Sequence, residues 1–142
     1  GLDNVFLRHR VLAEHVRRAV GVWSKKNTLA FNIVEPAERA NTVTTVLMAD
    51  GCNPEALRDY CEDKCGVVLG RGIGKLNGKA FRIAHMGHLN APMVLGTIGT
   101  IEMGLRALGI AHGSGGVQAA TEWLSDQVKP DVAGQTVQQL AR

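Results

Sequence analysis

The chain is predicted to fold as an α/β unit of the α+β kind, a small and mostly antiparallel sheet covered by helices. Three observations predict it. Two stretches repeat their apolar residues at threes and fours, two more carry helix cap and stop signals, and several short ones alternate apolar with polar. The order runs helix, two strands, helix, two strands, helix, helix, so strands come in adjacent pairs rather than in alternating strand–helix–strand units. The length of 142 residues, with 45% hydrophobic content, is that of a single domain with a single core.

Val5, Leu12, Val16, Ala19 and Trp23 recur at sevens, fours and threes, which predicts a first helix from about Asp3 to about Lys25. Its other face carries Arg8, Arg10, Glu14, Arg17 and Arg18. Leu29, Phe31 and Ile33 alternate, as do Val43, Thr45 and Leu47, so two strands flank a polar turn from Glu35 to Asn41. Asn53 before Pro54 is a cap followed by proline at the first helical position, and Gly66 supplies the stop. Pro54–Cys65 is therefore the second helix. Val67–Leu69 and Ala80–Met86 read as strands on either side of a glycine-rich connector. Asn90 caps a helix that ends near Gly109, whose Gly96, Gly99 and Gly104 permit close approach of a neighbour. Ser114 caps the last helix, with Val117, Ala120, Leu124 and Val128 inward, until Pro130 stops it. Residues 129–142 are weakly patterned, and no internal repeat is present.

Composition excludes several classes. A net charge of +3 does not demand a nucleic-acid partner. Three cysteines without a regular framework predict a reducing compartment, the cytoplasm being the simplest. The apolar run from Ala91 to Ala111 is broken by Glu102 and Arg106 at i,i+4, the spacing of a solvent-facing ion pair on a soluble helix, so no membrane span is expected. Gly1-Leu2-Asp3-Asn4 has neither an initiator methionine nor a signal-peptide pattern, and reads as a start inside a longer protein.

Phosphate-loop chemistry is also excluded for Gly70–Lys79. Neither Gly-Lys pair has the required glycine upstream or a Ser/Thr after the lysine, and the GxGxxG pattern fails at Lys75 and Asn77. Cys52, Cys61, Cys65 and His85 match no standard zinc spacing, so the thiols read as small core hydrophobes. His112 occupies the position where a nucleophile elbow around Ser114 needs glycine. Arg71, Lys75, Lys79 and Arg82 form a short basic run, the best argument for an alternative, non-catalytic module binding nucleic acid or small acids, but Phe81 alone offers a stacking platform.

The segment Lys79-Ala80-Phe81-Arg82-Ile83-Ala84-His85-Met86-Gly87 carries more information. Phe81, Ile83 and His85 share one strand face, which leaves Arg82 on the other between the small Ala80 and Ala84. A planar guanidinium with room beside it suits an incoming carboxylate or phosphate, gripped bidentately.

From Leu69 to Leu108 the chain reads LGRGIGKLNGKAFRIAHMGHLNAPMVLGTIGTIEMGLRAL, and this stretch resembles the C-terminal domain of class V, fold type I pyridoxal-phosphate aminotransferases of the alanine–glyoxylate and serine–glyoxylate group. The likeness is strongest over the Gly-rich loop, the strand motif and the helix after it, and is weaker over most of residues 2–128. Ala84 stands where relatives usually have glycine, and His88 where an acidic residue is common. The resemblance implies residues 1–128 as the aminotransferase small domain, with 1–25 as the linker helix from a large domain, and 129–142 as a weakly structured tail. It implies Arg82 as the group that binds the substrate α-carboxylate, with His85, Gly72 and Gly74 as possible supporting residues and no catalytic or metal-binding residue in this chain. Pyridoxal phosphate would be held mostly by the large domain, since none of Lys25, Lys26, Lys64, Lys75, Lys79 or Lys129 has the sequence context of the Schiff-base lysine. The chain alone is therefore expected to be inactive. Expected partners are a small amino acid or oxo acid, the rest of the parent chain and a second copy in a homodimer, with no nucleic acid and no membrane. The first helix is expected to expose an apolar stripe through Val5, Leu12 or Trp23 that drives association.

Overall fold

The structure, a computed structural model, describes residues 1–128. The predicted tail at 129–142 lies outside the described residues. In chain order the elements are α1 (Leu2–Trp23), β1 (Leu29–Phe31), β2 (Val43–Met48), α2 (Pro54–Cys65), β3 (Gly70–Arg71), β4 (Ala80–Ala84), α3 (Ala91–Ala107) and α4 (Gly116–Gln127). The strands form one antiparallel sheet in the order β1-β2-β4-β3.

Alternation fixes which sheet face meets the helices. Phe31 pairs with Val46, Val46 with Phe81, and Thr44 with Ile83, so these side chains line the core face. The helices cover that face: α1 packs on β1 and β2, α2 on β3 and β4, and α3 and α4 lie against α1. Leu12, Val16, Ala19, Val20 and Trp23 are fully buried between them. This corrects the expected stripe on α1, because Leu12 and Trp23 are closed off by the chain's own helices and sheet and only Val5, with Leu2 and Phe6, is exposed.

Three further expectations are corrected. Arg17 is buried rather than solvated, because the loop after β1 folds back on it: its Nη2 donates to Ala40 O at 2.8 Å and Arg39 O at 3.2 Å, and its Nη1 to Glu14 at 2.6 Å. The third strand forms at Gly70–Arg71 rather than Val67–Leu69, since only those two residues pair with β4. Ser114 is exposed, and Gly115, with φ of 91°, occupies the cap position of α4 without a side-chain cap bond.

Glu102 replaces the missing cap. Its Oε2 accepts the backbone N–H of Val117 at 3.0 Å and the indole N–H of Trp23 at 2.7 Å, so it does not form the expected exposed pair with Arg106. A carboxylate there satisfies an orphan donor and meets the positive end of the helix dipole. Of the α3 glycines, only Gly104 is needed for close approach, since a Cβ on it would lie 2.7 Å from Leu57 Cδ1, while Gly96 and Gly99 have open space.

Candidate functional site

Arg82 lies at the middle of β4 on the face opposite the core. In register it sits between Thr45 of β2 and Gly70 of β3. Ala80 and Ala84 flank it along its own strand, so every immediate neighbour on that face is small. Gly70 is required by this arrangement: a Cβ there would lie 3.1 Å from Arg82 Cβ and 3.3 Å from both Nε and Nη2. The Arg82 side chain therefore lies across the β3 backbone, where its Nε donates to Arg71 O at 2.8 Å. That bond fixes one edge of the guanidinium. Among the described residues no carboxylate pairs with it, and the half-buried side chain keeps its Nη donors available.

The other residues singled out by the sequence do not touch this guanidinium. His85 is fully buried on the core face, as the alternation predicts. Its Nδ1 is 3.1 Å from Asn41 O, an acceptor, so Nδ1 carries the proton and Nε2 accepts from the Thr44 hydroxyl at 2.9 Å. Burial, the largest influence, lowers its pKa to about 4, the bond to Asn41 opposing the shift and the nearby Arg17 and His9 adding to it. His85 is thus a neutral clamp that holds the end of β4 to the chain before β2. Gly72 closes the β3–β4 loop: its N–H donates to Ala80 O at 3.0 Å, and a Cβ would fall 1.9 Å from Leu76 O. Gly74 turns that loop with φ of 57°.

Sequence reasoning missed one part of the surroundings, the grip of α1 on the end of the Arg82 strand. Arg8 Nη2 donates to Gly87 O at 3.1 Å, and Gly87 N–H donates to His9 Nε2 at 3.1 Å. Neither arginine nor histidine at a helix surface announces a partner 79 or 78 residues away.

Lys25, Lys26, Lys64, Lys75 and Lys79 are all exposed, and none lies in a strand of the sheet. Among the described residues, no set of three or more His, Cys, Asp or Glu side chains is placed to hold a metal ion, and no helix is long and apolar enough to cross a membrane. Cys61 is buried, and burial with the neighbouring Cys65 pushes its thiol up to about 11, so it is no thiolate near neutrality.

No protein-family model matches the chain. It is 35% identical over 127 residues to the serine–glyoxylate aminotransferase of Methylorubrum extorquens, covering 89% of this chain and 31% of that protein. The serine–glyoxylate aminotransferase of Hyphomicrobium methylovorum is 34% identical over 140 residues, 98% of this chain and 34% of that one. The crystal structure of ureidoglycine–glyoxylate aminotransferase from Bacillus subtilis superposes with a TM-score of 0.77 at 25% identity, over 87% of this chain and 31% of its own. An Arg82-bearing antiparallel sheet backed by helices, in a sequence this close to those enzymes, makes the chain a member of the class V, fold type I aminotransferase family, matching its C-terminal domain. The family's cofactor is pyridoxal phosphate. The chain spans about a third of the length of the curated relatives it matches.

Proposed function

We propose that this chain is the substrate-carboxylate-binding domain of a pyridoxal-phosphate aminotransferase that exchanges the amino group of a small amino acid, such as serine or alanine, with an oxo acid such as glyoxylate. The observation that carries the reading is the guanidinium of Arg82, held at Nε by Arg71 O, in no ion pair among the described residues, on a strand position whose register and strand neighbours are Thr45, Gly70 and alanines. A two-donor edge left open on a flat strand face matches the two oxygens of a carboxylate.

The lysines described here do not fit a Schiff-base site, because each is exposed and none lies in the sheet that carries Arg82. The cofactor supplies the electron sink for amino transfer. In this reading its holders belong to the rest of the parent enzyme, and this chain contributes orientation: Arg82 fixes the carboxylate, Arg71 O fixes Arg82, and the neutral His85 anchors the strand from behind. A homodimer and a cytoplasmic setting belong to the same proposal, and the fragment alone is inactive in it.

The deciding experiment is Arg82→Ala in the intact enzyme. Loss of a charge-assisted bidentate contact should weaken both amino-acid and oxo-acid substrates by about 2–4 kcal/mol in kcat/KM, and Arg82→Lys should recover only part of it. The spectrum of the bound cofactor should be unchanged. An efficiency within about twofold of the parent for both substrates would overturn the assignment.

A further inference from the structure

β4 is supported unevenly along its length. β3 pairs only with Phe81 and Arg82, so beyond Arg82 the strand is held on one side, by β2 as far as Val43 opposite Ala84. His85 N–H then donates to Thr42 O at 3.0 Å, and two residues later the chain turns at Gly87 with φ of 85°. Both polar groups of Gly87 are taken by successive residues of α1, its carbonyl by Arg8 and its N–H by His9 Nε2. His9 Nδ1 lies 2.8 Å from Val5 O, which can only accept, so the proton sits on Nδ1 and Nε2 presents a lone pair. A protonated ring would set N–H against N–H. The latch therefore exists only with a neutral imidazole.

We propose that His9 is a positioning residue whose ring nitrogen latches Gly87 to α1, fixing the exit of the strand that carries Arg82. The inference rests on the carboxylate-binding reading of Arg82. Loss of the latch frees the one-sided end of β4, and carboxylate binding depends on where that strand holds its guanidinium.

The test compares the intact enzyme with His9→Gln and His9→Leu. The glutamine amide oxygen accepts from Gly87 without titrating, whereas leucine removes the acceptor. At one fixed pH, His9→Leu should lose hydrogen-exchange protection over residues 85–90, and its KM for the oxo acid should rise about three- to tenfold with kcat nearly constant. His9→Gln should restore both to the values of the parent enzyme. Should His9→Leu fail to fold, His9→Ala, which also removes the acceptor, takes its place. Protection and KM that match the parent in the variant lacking the acceptor would overturn the latch. Protection that responds while KM does not would overturn its coupling to Arg82. Failure of the Arg82 reading itself would show separately, as an Arg82→Ala enzyme with unchanged substrate affinity.

Discussion

The indole N–H of Trp23 donates to Glu102 Oε2 at 2.7 Å, joining the last turn of α1 to the middle of α3. The same oxygen takes the Val117 N–H, so one carboxylate ties three helices together at the start of α4. Gly116 has no side chain because none would fit: a Cβ would lie 2.1 Å from Trp23 Nε1.

Glu102→Ala is expected to destabilise the fold by about 2–4 kcal/mol, since it strands a buried indole donor and the N-terminus of α4 together. Glu102→Gln keeps an acceptor but loses the charge, and should cost about 1 kcal/mol. Urea unfolding followed by Trp fluorescence checks both, and equal effects would show that the charge is irrelevant.

Gly70→Ala should disturb Arg82 more than the sheet. The added methyl would crowd Arg82 Nε and Nη2 at 3.3 Å, where a flexible side chain can yield, and Arg82 Cβ at 3.1 Å, where the strand itself must shift slightly. We expect KM for the oxo acid to rise about two- to tenfold with a stability loss of about 1 kcal/mol. Combined with Arg82→Ala, the substitution should add nothing, because both act through one group.

Acid should weaken this chain through two core imidazoles. Burial lowers the pKa of His15 to about 4, and both of its ring nitrogens lack a hydrogen-bond partner; His85 is lowered to about 4 as well. Between the ordinary histidine value of 6.5 and 4 the unfolded chain binds these protons and the folded chain does not, so stability falls as pH falls through that window. The loss at pH 5 should be about 2 kcal/mol per imidazole. Urea midpoints at pH 7.5 and pH 5 measure it, and His15→Leu should remove its share; an unchanged pH response in that variant would contradict the assignment.

The isolated chain should neither transaminate nor take up pyridoxal phosphate at a single lysine. Every described lysine is exposed and outside the sheet, so borohydride reduction followed by peptide mass spectrometry should find scattered, substoichiometric labelling. One stoichiometric labelled lysine with turnover would refute this.

Much of the fold was legible because its signals are local. Asn53-Pro54 and Gly66 bound α2 at the predicted residues, with Asn53 accepting from Glu55 N–H and Gly66 turning left-handed at φ of 68°. The alternation in Phe81–His85 placed Arg82 and His85 on opposite faces, as observed. What stayed hidden depends on distant partners. Helical spacing pairs Glu102 with Arg106, yet an indole from α1 and an amide from α4 outbid that pair because they are buried donors. Arg17 reads as a surface charge until the loop at residues 39–41 closes over it. The latch at Gly87 was invisible for the same reason, since Arg8 and His9 gain partners only through tertiary contact.

The one-sided sheet leaves Arg82 facing solvent, and in a high-dielectric surrounding a guanidinium and a carboxylate at contact attract by only about 1 kcal/mol. Under the proposed function the lone chain is then a weak and unselective acid receptor, easily masked by salt. The same side chain would become a strong anchor once a second wall displaced the water in front of it. Potency at this position is thus a property of enclosure rather than of the arginine.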